Sequence, residues 1–145
     1  MRRDKEGTAI PAKYACAGAN VSLDLSWTPG PAGTKSYAVV LTDTSNTLIH
    51  WVIWDLAGTS LPEGVQHKPN PATPAGAKQV KSYDDTTVGY LGPCPPSVHT
   101  YELAVFALSV ATLPAVTTAS TRDAVKAEIL KQDLASATLS GTYTP

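Results

Sequence analysis

Charge is scarce in this chain. Only 16 % of its 145 residues are Asp, Glu, Lys or Arg, and eleven basic against twelve acidic side chains leave a net charge of −1. Globular proteins usually carry about a quarter of charged residues. A nucleic-acid binder needs a basic face to neutralise phosphates, so that class is excluded. The runs MRRDKE (1–6) and KAEILKQD (126–133) are short and mixed in sign, which reads as solvated surface.

Long apolar runs are missing as well. The best candidate, YELAVFALSVATLPAV (101–116), is broken by Glu102, Ser109 and Pro114 and falls short of the roughly 18 residues a membrane helix needs. A soluble chain without a transmembrane segment is expected. Arg2, Arg3 and Lys5 resemble the basic start of a signal peptide, but no apolar segment follows them. A signal is therefore absent or already removed, and localisation stays open between cytoplasm and periplasm or secretion. The two cysteines, Cys16 and Cys94, lack the spacing and the histidine companions of a zinc or redox motif. They are buried thiols or one disulfide. Internal repeats and low-complexity tracts are absent.

What is present is β-forming sequence. At this length one domain with its own core is expected, needing neither metal nor disulfide to fold. VSLDLSW (21–27) alternates Val21, Leu23, Leu25 and Trp27 with polar residues, a half-buried strand. SYAVVLT (36–42) and TLIHWVIWDL (47–56) are rich in β-branched and aromatic residues and flank a polar turn at 43–46, which predicts a hairpin in a sheet interior. Residues 57–90 show almost no apolar periodicity, and a loop of that length is expected to cover something. After a buried strand near 101–110, Ser120 with Asp123 three residues on predicts a helix start. Val125 and Ile129, with Ala127, Leu130 and Leu134, follow at helical spacing. ATLSGTY (137–143) predicts a last strand. The fold class is mainly β with a late helix.

Chemistry concentrates in GPCPPSVHTYELAVFAL (92–108). Pro93, Pro95 and Pro96 fix φ and pre-organise a turn. Side chains repeat every two residues along a strand, so His99 and Tyr101 project from one face at its entrance. A plainer reading has His99 hydrogen-bonding the loop and Tyr101 packed in the core. Asp43 and His50 stand at the ends of the predicted hairpin, and with His99 they converge if the strands are neighbours. A histidine inside an apolar strand needs a partner, and Asp43 is a candidate for His50. Such a pair would raise the histidine pKa and present an N–H to an anion, whereas a satisfied core histidine without a ligand fits the same sequence. Catalysis has less support: there is no G-x-S-x-G elbow, Cys94 lies between prolines, and His67 sits in the polar loop without an evident partner. His50 with Asp43 as base and orienter of a hydrolase or lyase is the alternative. No H-x-H or H-x-x-x-H spacing supports a metal, and no cofactor is expected.

Four ordered blocks carry a resemblance: LSWTPGPAGTKSYAVVLTD (25–43), HWVIWDLAGTSLPEGV (50–65), GYLGPCPPSVHTYELAVFAL (89–108) and LSGTY (139–143). With the opening IPAKYACAGANVS (10–22), they are similar to the bacterial branch of the phosphatidylethanolamine-binding protein family, also called Raf-kinase-inhibitor-like proteins. The likeness covers residues 10–143, so residues 1–9 are expected as a tail before a single domain at 10–145. It implies a large central antiparallel sheet packed on a smaller one, a C-terminal helix, and a small anion pocket at a sheet edge. The implied pocket residues are Asp43, His50, Gly92, Pro93, Pro95, Pro96, His99 and Tyr101. The implied function is non-enzymatic binding of a small anion or a phosphorylated head group, with coupling to a protein partner or a second copy compatible with it. The likeness also implies that Cys16 and Cys94 lie near each other. Where the family reads D-P-D-A-P, this chain has Asp43-Thr44-Ser45-Asn46-Thr47. The second aspartate and both prolines are lost, which implies a looser and wider wall. The family's S-P-P-L is replaced by Ser22-Leu23-Asp24-Leu25.

Overall fold

The computed structural model describes residues 8–145. Most of the expected tail, including Arg2, Arg3, Lys5 and the run 1–6, lies outside the described residues.

The expected hairpin forms as β3 (Ser36–Asp43) and β4 (Leu48–Leu56), paired antiparallel with Val39 opposite Ile53 and Val40 opposite Val52. β7 (His99–Leu108) lies antiparallel on the other side of β3, with Val39 opposite Val105. β3 is thus hydrogen-bonded along both edges. Its two faces are also covered, which is why the sequence runs apolar without alternating. Val39, Leu41, Trp51, Ile53, Leu103 and Val105 face one core with Leu25, Trp27 and Leu61. Ala38, Val40, Val52, Trp54, Ala104 and Phe106 face the other, closed by Val125 and Ile129 of α1 (Arg122–Gln132).

The large sheet has the order β1–β8–β7–β3–β4–β6, with β1 at Thr8–Ala9, β6 at Lys78–Gln79 and β8 at Asp133–Tyr143. β2 (Leu25–Ser26) and β5 (Ser60–Leu61) make the small second sheet. This is the expected mainly β architecture with one C-terminal helix. The large sheet is mixed rather than wholly antiparallel, because Thr8 and Ala9 pair parallel with Gly141 and Thr142. Those two residues, expected in the tail, are part of the fold.

Four expectations are corrected in detail. The strand at 21–27 shrinks to Leu25–Ser26, since Ser22 spends its carbonyl on Gly64 N–H and its hydroxyl on Val65 N–H instead of a ladder. Thr121, not Ser120, caps α1: its hydroxyl accepts from Ala124 N–H at 3.1 Å, whereas Ser120 Oγ accepts from Thr117 N–H in the preceding turn. The helix buries Val125, Glu128 and Ile129, and leaves Ala127 and Leu130 on the solvent side, with Leu134 beyond it also exposed. The last strand starts at Asp133, directly after the helix, because β7 offers a full-length partner from Leu108 to His99.

The long connection at 57–90 is ordered by local pairing. Gln79 is fully buried, accepts from Trp51 Nε1 at 2.7 Å and donates to the carbonyls of Gln66 and Lys68. One buried amide thus ties the loop to the sheet. His67 does have a partner, contrary to expectation: its Nδ1 lies 3.1 Å from the Val88 carbonyl.

Candidate functional site

β3 and β7 are antiparallel, so the last residue of β3 meets the first residues of β7. Asp43 lies opposite Tyr101 in the β3–β7 register and opposite Leu48 in the β3–β4 register. His99 opens β7 and His50 lies two residues into β4. All four therefore share one end of the three central strands. The site is at the ends of the central strands, where the sequence also puts these groups.

The pairing within the site differs from expectation. Asp43 binds His99, with Nδ1 donating to Oδ2 at 2.6 Å. His50 instead points Nδ1 at the Leu91 carbonyl, 2.9 Å away. A carbonyl only accepts, so Nδ1 of His50 carries the proton and Nε2 is the ring's remaining polar atom. Burial pushes the His50 pKa below its ordinary value, against the opposing pull of the Leu91 carbonyl and of Asp43. Asp43 acts to raise this pKa as expected, but the net direction is downward, because desolvation outweighs a carboxylate that is already committed to His99.

Tyr101 is buried; its hydroxyl makes no hydrogen bond of ordinary geometry, but the Asp43 carboxylate lies near enough to act on it. Burial first, and then the Asp43 charge, push its pKa up, so it stays a phenol and a donor. The ring of His50 packs edge-on against Tyr101 at 5.3 Å and against Tyr83 at 4.4 Å.

These groups line a cavity of about 110 Å³, together with Asn46, Leu48, Cys94, Pro95 and Pro96. Six of the eight expected site residues thus meet: Asp43, His50, Pro95, Pro96, His99 and Tyr101. Gly92 and Pro93 do not line it. Gly92 is where the wall passes closest to the Tyr14 backbone, since a Cβ there would sit 1.9 Å from the Tyr14 carbonyl oxygen. Its N–H donates to Asn20 Oδ1, and the Pro93 carbonyl accepts from Cys16 N–H. Both residues hold the wall in place from behind.

Cys16 and Cys94 are joined in a disulfide with Cα atoms 5.5 Å apart. It fastens the cavity wall to the segment after the short 3-10 helix at Ala12–Tyr14. On the opposite side the 43–47 turn, without the family's prolines, is restrained by hydrogen bonds. Ser45 N–H donates to Asp43 Oδ1, Ser45 Oγ accepts from Thr100 N–H, and Thr44 bonds the Thr100 carbonyl. Ser45 thereby stitches the turn to β7.

Sequence reasoning missed Tyr83, Asn46, Leu48 and Cys94. Tyr83 had one signal: it is an aromatic residue within the long polar connection that was expected to cover something. Ser82 anchors it there through a hydroxyl donated to the His50 carbonyl. A larger hollow of about 530 Å³ beside the start of α1 is lined by Lys81, Asp85, Arg122 and Asp123, with no histidine or aromatic ring. No helix among the described residues is long and apolar enough to cross a membrane.

The profile of the phosphatidylethanolamine-binding protein family matches residues 2–144. The UPF0098 protein of Aquifex aeolicus is 36 % identical over 98 % of this chain and 85 % of its own length. That of Methanothermobacter thermautotrophicus is 41 % identical over 68 % of each chain. The crystal structure of Escherichia coli YbcL, described as a new member of the mammalian PEBP family, superimposes with a TM-score of 0.86 at 28 % identity, covering 97 % of this chain and 93 % of that one. Matched along almost its whole length and in its fold, the chain belongs to the phosphatidylethanolamine-binding protein family.

Proposed function

We propose that the protein is a non-enzymatic binding protein that holds a small anion, or the phosphate-type head group of a small molecule, in the cavity at the ends of β3, β4 and β7. The observation that carries this reading is that Asp43, His50, His99 and Tyr101, brought together from three strands, line one cavity of about 110 Å³. The flanking prolines and the disulfide support it further, because a wall that is already rigid loses little entropy on binding. His50 and His99 supply ring nitrogens, and Tyr83 supplies an aromatic side.

A hydrolase remains the second reading, and one observation favours it: Asp43 orients His99 at 2.6 Å, as an orienter holds a general base. Its base would be His99 rather than the His50 first considered. Neither a serine nor a free cysteine lines the cavity, so such an enzyme would have to activate water.

Phosphate titration followed by histidine ring NMR tests the site. His50 and His99 signals should move, while His67, exposed and bonded to Val88, should not. Equal movement of all three, or of none, overturns the assignment. Native mass spectrometry of the purified protein would show whether a small molecule accompanies it.

A further inference from the structure

Along most of its length β8 is an open edge. Every residue from Asp133 to Thr138 is exposed, and β1 pairs with the strand at Gly141 and Thr142, beyond that stretch. The Thr142 carbonyl accepts from Ile10 N–H on the side away from β7. Antiparallel residues alternate between bonding the neighbouring strand and facing away from it, so Thr138 and Ser136 turn their backbone N–H and C=O groups the same way. Among the described residues nothing bonds these groups. Sheet edges are ordinarily guarded by proline, lysine or inward charge, because a bare edge templates another strand. DLASATLSGTY has neither proline nor lysine, and its single charge, Asp133, stands at the start.

Beside this edge lies a groove of about 200 Å³ lined by Trp27, Pro29, Pro31, Tyr37, Ala135 and Ala137. Leu134 is 44 % exposed and points Cδ1 towards Gly33, in the turn that follows Pro31. One strand therefore carries a free ladder, an apolar knob and an apolar hollow.

We infer that a second copy of this chain pairs with β8 antiparallel, about a two-fold axis through Ser136. Such an axis runs perpendicular to the sheet, so it keeps both grooves on one face. It sets Ser136 against its own copy and Thr138 against Leu134, bringing each exposed leucine level with the groove rim at Ala137 of the other copy. An unrelated strand would use the ladder alone, whereas a second copy also brings the groove that covers Leu134. An isologous contact of this kind uses both edges and stops at two. It is independent of the anion cavity, since Ser136 lies opposite Phe106, towards the far end of β7 from His99.

Sedimentation equilibrium of the intact chain over a range of concentrations tests it. A species with the mass of two chains is expected, with slow hydrogen exchange at the Ser136 and Thr138 amides that quickens on dilution. Ser136→Pro removes an outward N–H from each copy, and an edge strand tolerates proline where that N–H faces solvent. Losing two hydrogen bonds should raise the dissociation constant of the dimer by at least about tenfold. Leu134→Lys, at an exposed position, should also weaken the dimer without touching the backbone, and it decides the matter if the proline variant misfolds. A chain that is monomeric at every concentration overturns the inference, as does a species larger than two copies. A dimer that withstands either folded variant, or whose Ser136 and Thr138 amides exchange freely, is joined elsewhere and overturns it equally.

Discussion

Asp43 and His99, 56 residues apart in sequence, meet at 2.6 Å because antiparallel pairing sets the end of β3 against the start of β7. Both are largely withdrawn from water, with side-chain exposures of 3 % and 17 %. Replacing Asp43 with Ala leaves a mostly buried imidazole nitrogen unpaired and should cost about 1–3 kcal/mol in urea unfolding. Asp43→Asn, which retains an acceptor for Nδ1, should cost less. Phosphoester and acyl-ester turnover measured on both proteins separates binding from hydrolysis. No turnover is expected in either, and a parent activity lost in Asp43→Asn would establish the hydrolase.

Tyr101→Phe separates stability from binding. The hydroxyl makes no hydrogen bond of ordinary geometry in the fold, so its removal should leave the urea midpoint unchanged or raise it. Phosphate affinity should drop by about tenfold, corresponding to one hydrogen bond to a charged group. A variant that unfolds more easily yet binds normally would show that the hydroxyl serves the core instead.

His50 makes stability depend on pH in a definite direction. Its folded pKa lies below the ordinary 6.5, so the unfolded chain takes up a proton first as pH falls. The stabilisation from this residue is complete above pH 6.5 and declines as pH drops below it, with a slope of at most about 1.4 kcal/mol per pH unit. Urea unfolding at pH 7.5, 6.5 and 5.5 should show the decline, and His50→Gln should remove this component of it. Stability that rises on acidification through this window would contradict the assignment.

The disulfide closes a loop spanning 78 residues of sequence. On chain-entropy grounds its removal by Cys16→Ser with Cys94→Ser should lower stability by about 4 kcal/mol. Thiol counting in denaturant on protein kept under oxidising conditions should find none free, and two free thiols would exclude the bond.

Gly92→Ala tests the close approach behind the cavity. A methyl group there would need the Tyr14 carbonyl oxygen or the wall itself to move, since the contact would be 1.9 Å. Overpacking of this kind costs about 1–3 kcal/mol or more. The expected result is a lower melting temperature together with weaker phosphate binding; a fully stable variant would show that the wall has slack.

Much of the fold was legible before any coordinates. The apolar runs of β3, β4 and β7 announce strands buried on both faces, and helical spacing finds α1 to within a few residues. Six of the cavity's residues were also identifiable by position. Tyr83 was not, because the connection at 57–90 takes its shape from Gln79, Ser82 and other single hydrogen bonds that have no periodic signature.

Sequence by itself determined which elements exist, because burial on one or both faces imposes a period on side chains. It also determined which chemical groups stand at strand ends. Tertiary structure alone decided who pairs with whom. Asp43 is close in sequence to His50, yet strand register delivers it to His99, and the loop carbonyl of Leu91 takes the His50 proton instead. Proximity in sequence set the expectation of a charged His50. Desolvation in the assembled core, a property of no single segment, holds its pKa below the ordinary value instead.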